Sequence, residues 1–344
     1  MVKLLKPIMW WSVMSQLFLN AVGGDLAETI DLVRQPDLDL GQDDLLVAVE
    51  AAPINNADLL FTAGWFSVYP ELPNALGAEG VGRVLKAGPG ADRNLVGRRV
   101  IILPTFVQGT WAEQVVIPAR NTVVVPDGAN PLQLAMLAVN PATARSLLND
   151  YVPVRRGEWV GLNLANSAVG QYVIALAKRA GIRTLAVVRR EQAAEQVRRL
   201  GADIVVVDGD KLGHRVAEAL GGVQLRLLLE GTGSSEQVAE LAPSVESGGS
   251  VVVFAAATNQ SPALPLADLI YRGISLRAFF ILNWIRDTPR DELERAYVEL
   301  AQLVEQGVLE AEVEATYPLT AYKEAFAHAA RTERSGKILF TPSA

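Results

Sequence analysis

The hydrophobic pattern changes character partway along the chain. Between residues 15 and 135, short apolar runs are separated by Gly, Pro and Asp. The clearest of these runs are 44–54, 80–88, 98–103, 111–118 and 121–126. Short strands at this spacing are typical of a β-rich, barrel-like domain. A helical period follows over residues 130–150 and marks the end of this part.

From residue 159 onward, continuous apolar runs alternate with amphipathic ones. The apolar runs, which predict strands, are 158–165, 183–190, 203–209, 224–233, 249–257 and 274–282. Continuous apolar strands between amphipathic helices indicate a parallel sheet covered on both faces, a doubly wound α/β domain. The tail predicts a long helix over 290–307, a short strand, a second helix and a final strand at 336–342.

Composition narrows the function classes. A chain of 344 residues favours two domains, and its net charge of -7 disfavours nucleic acid or an anionic membrane as a partner. The absence of an apolar run of membrane-spanning length predicts no membrane segment. Without cysteines, and with only His214 and His328 as histidines, the chain offers few zinc ligands, so we predict no metal site.

The first residues can be interpreted as a signal peptide, but Pro7 and Ser12 interrupt the apolar stretch and no small-residue cleavage site follows. Met14 is a second candidate start, directly before "SQLFLNAVGG", which predicts the opening strand. We therefore interpret residues 1–13 as an extension. A cytoplasmic location is expected.

A candidate phosphate-binding turn follows the first strand of the doubly wound part. There "NSAVGQ", residues 166–171, leads into a helix. Loop amides and a helix N-terminus can hold a pyrophosphate, and Ser167 can add a hydroxyl donor. Only Gly170 remains of the usual glycine fingerprint, so an ordinary strand-to-helix turn is the alternative. The alternating units behind the turn favour dinucleotide binding.

The end of the second strand indicates which dinucleotide binds. NAD sites usually carry Asp or Glu there for the ribose hydroxyl, whereas this strand ends in Arg189 and Arg190. Two guanidiniums suit a 2′-phosphate, which arginine can bind in a bidentate manner. The alternative is a solvated basic loop next to Glu191. We therefore predict NADPH as the cofactor.

Several segments along nearly the whole chain carry a family resemblance. They are "APINNADL", "YPELPNALGAEGVGRV", "GTWAEQVV", "AVNPATARSLL", "NLANSAVGQ", "VVRR", "LRAFFILNW" and "SGKILF". With these segments the chain resembles the zinc-independent medium-chain dehydrogenase/reductases, and most of all the mitochondrial-type 2-enoyl thioester reductases. The resemblance implies a GroES-like catalytic domain at 1–140 and 280–344, a Rossmann NADPH-binding domain at 141–279, and a cleft between them.

The implied reaction is the NADPH-dependent reduction of an activated C=C bond in an enoyl thioester or enone. Hydride goes to the β-carbon and a proton to the α-carbon, without a metal. A related NADPH:quinone oxidoreductase is one alternative, and an NADPH-binding protein without catalysis is another. The resemblance also implies a homodimer through the edge strand "SLRAFFIL".

The resemblance also implies the cofactor contacts. They are Asn140, the turn Asn166, Ser167, Ala168 and Val169, the group Arg189, Arg190 and Glu191, the loop Phe254, Ala255, Ala256 and Ala257, the edge-strand segment Phe279, Phe280 and Ile281, and Lys337. Ala168 departs from the family, whose close members keep glycine there; a Cβ at this position crowds the phosphate.

The substrate side carries the main departure from the family pattern. The proton-donating tyrosine of the family corresponds to Phe66 in "AGWF", and a phenyl ring has no proton to give. Tyr69 is the predicted replacement acid, with solvent as the alternative donor. Asn55 is expected to hydrogen-bond a substrate carbonyl. Trp65 and Trp111 are expected to lie near the substrate, although a core tryptophan is equally consistent with Trp111.

Overall fold

The computed structural model describes residues 14–35, 38–66, 68–107, 109–255, 257–258, 260–331 and 334–342. The predicted extension 1–13 lies outside the described residues. Two compact units make up the chain. Unit 1 takes the residues up to Asp127 and those from Val313 onward, and unit 2 takes Gly128–Glu312.

These limits differ from the predicted boundaries at 140/141 and 279/280. The difference arises because the flanking segments 128–140 and 280–312 bind each other within unit 2. The Gln133 side chain exchanges two 2.9 Å hydrogen bonds with the backbone of Ala311. The Tyr297 hydroxyl donates to the carbonyl of Ala138 at 2.8 Å.

The first part of unit 1 is built mainly of strands. Its strands are β1 Met14–Leu19, β2 Ile30–Gln35, β3 Asp44–Pro53, β4 Asn74–Ala75, β5 Gly80–Ala87, β6 Arg99–Ile102, β7 Gln114–Pro118 and β8 Thr122–Val124, and its helices are α1 Leu26–Thr29 and α2 Asn56–Thr62. The five predicted strand runs form β3, β5, β6, β7 and β8, which confirms the β-rich prediction. Strand β3 pairs antiparallel with both β5 and β7, so its side chains lie in the core.

Unit 2 alternates strands and helices. Its helices are α3 Pro131–Leu134, α4 Asn140–Asn149, α5 Ala168–Ala180, α6 Glu191–Leu200, α7 Leu212–Leu220, α8 Ser235–Leu241, α9 Leu266–Ile270, α10 Ile281–Asp287 and α11 Arg290–Glu305. Its strands are β9 Trp159–Leu162, β10 Arg183–Val188, β11 Ile204–Val207, β12 Leu225–Glu230, β13 Val245–Val253 and β14 Ser275–Ala278. The predicted helical run 130–150 is two helices, separated by turns over 135–139.

The six strands of unit 2 form one parallel sheet in the order β11-β10-β9-β12-β13-β14. In order of sequence this is 3-2-1-4-5-6, the arrangement of a doubly wound dinucleotide-binding sheet. Strand β10 is apolar and buried from Leu185 to Val188, as expected when helices cover both faces. The predicted doubly wound fold is confirmed.

The predicted strand 274–282 is shorter than expected. Strand β14 ends at Ala278, and the N–H of Phe279 makes a last 2.8 Å bond to Val253, the end of β13. Beyond that point the described residues show no further strand pairing at this edge. The N–H of Trp284 instead donates to Phe280, and Ile281 begins α10. The expectation that Phe279–Ile281 forms the edge strand is therefore wrong.

The last part of the chain completes the sheet of unit 1. It contributes β15 Val313–Tyr317, α12 Tyr322–Ala329 and β16 Lys337–Phe340. Strand β16 lies parallel to β15 and antiparallel to β3, with Leu339 opposite Pro53. The resulting order is β15-β16-β3-β5-β6-β8, with β7 on β3. Within the described residues, no helix is both long enough and apolar enough to cross a membrane.

Candidate functional site

The predicted phosphate turn is formed at the carboxyl end of β9. The hydroxyl of Ser167 accepts a 3.1 Å hydrogen bond from the N–H of Gly170 and so caps α5. A side chain at Gly170 would come within 2.4 Å of the Ala165 carbonyl, so this close turn requires glycine. Asn166, Ser167, Ala168 and Val169 are all half-buried. The helix N-terminus therefore offers backbone N–H groups to an anion.

A buried asparagine directly after β9 connects the phosphate turn to the end of β12. Asn163 is fully buried, and its side-chain oxygen accepts a 2.7 Å bond from the N–H of Gly231. Its amide nitrogen donates to Gln237 at 2.9 Å and also to Glu230. The sequence prediction did not include Asn163. The signal was a polar residue directly after an apolar strand, at the edge where such sheets bind ligands.

The Glu230 carboxylate organises the loop after β12. One of its oxygens accepts bonds from the N–H of Thr232 at 2.6 Å, the hydroxyl of Thr232 at 2.6 Å and the N–H of Gly233 at 2.7 Å. Gln237 extends the network to Asp208, after β11, at 2.6 Å. These bonds fix the ends of β9, β11 and β12 relative to one another, so the floor of the cofactor region is preorganised.

The predicted 2′-phosphate group lies at the carboxyl end of β10. Arg189 is exposed, and Arg190 is half-buried at the N-terminus of α6. The carboxylate of Glu191 forms a 2.6 Å ion pair with Arg198. Because this pair compensates the negative charge of Glu191, the charge left at the strand end is positive. That environment suits a phosphate better than a ribose hydroxyl.

The loop after β13 continues the same edge of the sheet. Phe254 and Ala255 are half-buried, and the N–H of Phe254 donates to the Glu230 carbonyl at 2.9 Å. Ala257 binds the carbonyl of Gly231 through its N–H at 3.2 Å. Ala256 lies outside the described residues. This loop and the loop after β12 therefore support each other.

The remaining predicted cofactor residues divide between the two units. Asn140, the first residue of α4, is buried in unit 2. Phe279 and Phe280 are half-buried at the end of β14, also in unit 2. Lys337 belongs to unit 1 and begins β16.

The aromatic residues of the predicted substrate loop separate into two kinds. Phe66 is half-buried, with its ring centroid 4.8 Å from that of Phe106, which lies 5.1 Å from Phe61. These rings form an apolar wall in unit 1. Trp65 and Tyr69 are 68% and 66% exposed, so neither side chain is held in a fixed position by packing.

Trp111 is a core residue and not a surface for substrate. Its side chain is completely buried, and its indole N–H donates to the carbonyl of Pro53 at 3.1 Å. The ring packs against Phe326 and Phe340, with centroids 5.2 and 5.4 Å away. This corrects the substrate-binding prediction, because a tryptophan enclosed in this way has no face left for a ligand.

Asn55 lies at the centre of a buried polar cluster in unit 1. It precedes α2, where its backbone N–H donates to Asp58 at 2.8 Å. Its side-chain N–H donates to Glu79 at 2.7 Å, and its side-chain oxygen accepts a bond from the ammonium of Lys337. Asp58 also accepts a 3.2 Å bond from the N–H of Ala78. The structure thus brings together Asn55 and Lys337, which were predicted separately, and adds Glu79.

Burial determines the titration of this cluster. It lowers the pKa of Lys337 to about 8, against the opposing charges of Glu79 and Asp58, and the neighbouring Arg334 lowers it further. Burial likewise raises the pKa of Asp58 to about 6, although Lys337 and the hydrogen bonds from Asn55 and Ala78 oppose the shift. Perturbed groups of this kind are candidates for proton transfer.

The donor set does not fit zinc. His214 lies on α7 in unit 2, and His328 on α12 in unit 1. His328 is already hydrogen-bonded to Tyr317 at 2.9 Å and to Glu314 at 2.8 Å. In the part of the chain that the structure describes, no three His, Cys, Asp or Glu side chains come together as a metal site.

Two family models match the chain. The alcohol dehydrogenase GroES-like domain matches residues 41–127, and the zinc-binding dehydrogenase model matches residues 168–301. The first of these confirms the predicted GroES-like character of unit 1. Both models describe domains of dehydrogenases.

Curated relatives and a solved structure agree with this result. The mitochondrial enoyl-[acyl-carrier-protein] reductase of Bos taurus is 30% identical over 87% of this chain and 81% of its own length. A reductase of the same name from Caenorhabditis elegans is 32% identical over 81% and 80%. A putative NADPH:quinone reductase from Bacillus thuringiensis covers 95% of this chain and 98% of its own, with 25% identity and a TM-score of 0.87.

Proposed function

The chain belongs to the medium-chain dehydrogenase/reductase family and is an oxidoreductase, and on that premise we propose that it reduces activated C=C bonds with NADPH. The proposed substrates are 2-enoyl thioesters or related enones. The enoyl reductases among its relatives support this substrate class. No zinc is proposed, because the chain has no cysteine and its described residues bring no three His, Asp or Glu side chains together.

The cofactor assignment rests on Arg189 and Arg190. They lie at the end of the second strand of a sheet with the order 3-2-1-4-5-6. The phosphates would lie against the turn at Ser167, and the 2′-phosphate against the two guanidiniums. The solved relative described as an NADPH:quinone reductase supports the same dinucleotide.

When bound, NADPH supplies the hydride that adds to the β-carbon. The electron pair of the C=C bond then moves toward the substrate carbonyl, where an enolate develops. The Lys337 ammonium, which the Asn55 side chain holds in place, is a polar group of unit 1 that would stabilise this oxygen. Phe66 and its neighbouring rings provide an apolar wall for the acyl chain.

A spectroscopic assay of NADPH oxidation tests the proposal. Crotonyl, hexenoyl and longer enoyl thioesters would serve as substrates, with NADH in a parallel series. We expect NADPH-dependent formation of the saturated thioester, with deuterium from labelled NADPH at the β-carbon. No oxidation across the whole panel would overturn the enoyl proposal, and tight NADPH binding without turnover would indicate a non-catalytic protein.

One observation favours a quinone as the second candidate substrate. Phe66 gives the aromatic wall no hydroxyl, and a quinone needs none, because its reduced oxygens take protons directly from water. Naphthoquinone and phenanthrenequinone would therefore be included in the assay. Turnover with these quinones and little with the thioesters would favour this candidate.

We also propose a homodimer that forms through the edge of the unit 2 sheet. Support comes from exposed apolar side chains on and after α9: Leu266 is 68% exposed, Ile270 62% and Tyr271 83%. Among the described residues, strand β14 beside them has only β13 as a neighbour within its sheet. A second copy of the chain could pair with this edge and cover these side chains.

A further inference from the structure

The ammonium of Lys337 is held in position by a hydrogen bond and has further N–H donors available. The residue begins β16, where Lys337 lies opposite Val313 of β15. Among the described residues its Nζ makes one hydrogen bond, to the side-chain oxygen of Asn55. An ammonium carries three N–H donors, so two of them remain for other acceptors. The residue as a whole is half-buried and keeps part of its surface accessible, although the surroundings of the ammonium are buried enough to lower its pKa.

We propose that Lys337 is the proton donor of the reaction. This inference rests on the proposed enoyl reduction. Hydride addition to the β-carbon places the electron pair of the C=C bond in an enolate. The α-carbon of that enolate forms its new C–H bond with a proton from the Lys337 ammonium, whose N–H electron pair returns to nitrogen. The neutral amine then regains a proton from water, which restores the ammonium.

The arrangement of Asn55 supports this role. Its amide nitrogen is bound to Glu79, which fixes the amide so that the oxygen faces Lys337. The orientation of the ammonium is thereby determined by a buried side chain, and Glu79 itself is completely buried. In this proposal Asn55 and Glu79 are positioning residues, and Lys337 is the group that touches the substrate.

The neighbouring charges set the acidity of the donor. The charged groups that act on Lys337 are Glu79 and Asp58, which stabilise the ammonium, and Arg334, which destabilises it. Together with burial they leave the pKa of Lys337 at about 8. An acid with a pKa near the working pH is protonated in most molecules and still transfers its proton readily.

A second set of contacts fixes the turn that precedes Lys337. The carboxylate of Glu314 accepts bonds from the N–H of Ser335 at 2.7 Å and the N–H of Gly336 at 3.1 Å. Glu314 is in turn bound to His328 at 2.8 Å. Glu314 thus holds the backbone just before Lys337, and Asn55 holds the Lys337 side chain.

The experiment compares Lys337→Gln and Lys337→Arg with the wild type. Arginine keeps the positive charge beside Glu79 but does not give up its proton near neutral pH, so it separates proton donation from charge balance. At saturating NADPH, with dinucleotide binding measured separately by fluorescence titration, we expect both variants to lose enoyl turnover by about 100-fold or more, the usual effect of removing a general acid. Lys86→Gln, at an exposed lysine of β5, is the matched control and should retain full activity.

Two further readouts distinguish proton donation from a structural role. In deuterated water the wild type should place deuterium on one face of the α-carbon, and Lys337→Gln should give both faces. Wild-type enoyl turnover should fall as the pH rises through about 8, and Lys337→Arg should lack that limb. Quinone turnover, if the wild type has it, should change far less in either variant.

The outcomes separate this inference from the proposed function. If the wild type reduces no enoyl substrate, the proposed function is wrong. If the wild type is active and Lys337→Arg retains its rate, its pH profile and its α-carbon selectivity, Lys337 is not the donor, while the reductase assignment stands. Should Lys337→Gln fail to fold, Lys337→Arg alone decides between these results.

Discussion

The backbone N–H of Gly231 donates a 2.7 Å hydrogen bond to the side-chain oxygen of Asn163. This bond joins the ends of β9 and β12, which are neighbours at the centre of the unit 2 sheet. In sheets of this order the strand order reverses between these two strands, and the crevice there receives the dinucleotide. Asn163 thus holds these two strand ends together while it is itself fully buried.

Replacing Asn163 tests this relationship. Asn163→Ala removes the donors to Glu230 and Gln237 and leaves a buried carboxylate with fewer partners. We expect a loss of about 2 kcal/mol in the free energy of unfolding, the usual cost of an unsatisfied buried group, together with weaker NADPH binding. Asn149→Ala, at an exposed asparagine of α4, is the control. Equal melting temperatures for the two variants would contradict the role of Asn163.

The cofactor preference depends on Arg189. Arg189→Ala should weaken NADPH binding by about 10- to 100-fold, the value of one charge-assisted hydrogen bond, and leave NADH binding nearly unchanged. Fluorescence titration with both dinucleotides measures this. Arg179→Ala removes the same charge from an exposed position at the far end of α5 and should have little effect. Equal losses for NADPH and NADH would show that Arg189 does not recognise the 2′-phosphate.

The raised pKa of Asp58 predicts a dependence of stability on pH. The pKa of Asp58 in the folded protein is about 6, whereas the usual pKa of an aspartate is 3.8, so the folded protein favours the protonated form. The contribution is fully present below pH 4 and is lost as the pH rises through 6, a change of about 3 kcal/mol. Asp58→Asn cannot ionise, so its stability relative to the wild type should rise over this interval. Urea unfolding at several pH values measures the difference, and a constant difference would refute the prediction.

The proposed dimer predicts the effect of a charge on α9. Ile270→Asp places a carboxylate among the exposed apolar side chains and should convert the dimer to a monomer. Light scattering after size-exclusion chromatography gives the mass directly. Val223→Asp, at an exposed valine elsewhere in unit 2, should leave the mass unchanged. A wild type that is monomeric at all concentrations would rule the dimer out.

Tyr69 and Phe66 are the two candidate positions for a proton-donating phenol, and substitutions at each test its effect on enoyl reduction. If Lys337 donates the proton, Tyr69→Phe should retain the wild-type rate of enoyl reduction, because the exposed hydroxyl takes no part. Phe66→Tyr places a hydroxyl beside Phe106 in the aromatic wall. Steady-state rates of enoyl reduction at saturating NADPH show whether the Tyr69 hydroxyl takes part. A loss of about 100-fold in Tyr69→Phe, as for a general acid, would restore Tyr69 as the donor.

The sequence predicted the fold well where a periodic signal existed. Continuous apolar runs such as 183–190 predict a buried parallel strand, and β10 lies within that range. The prediction was less accurate at 274–282, because an apolar run alone does not distinguish a strand from a short strand followed by a helix. The end of β13 decides where β14 stops, and that is a tertiary effect.

The candidate site could be predicted only in part for the same reason. The turn at Ser167 and the arginines after β10 are local features, and the sequence displays them. The cluster around Asn55 joins residues that are far apart in sequence, since Lys337 is 282 positions away. A tryptophan can lie in the core or at a substrate surface, and the sequence does not distinguish these two places. The complete burial of Trp111 puts it in the core.

The insertion of unit 2 into unit 1 has a consequence for the order of folding during synthesis. Strand β3 leaves the ribosome early, but its partner β16 comes after the whole of unit 2. The nucleotide-binding unit can therefore fold first, whereas the sheet of unit 1 is complete only after β15 and β16 have been synthesised. Because Lys337 is on β16, the proposed acid reaches Asn55 only after unit 2 has been synthesised. A nascent chain could then bind NADPH before it could carry out the reaction.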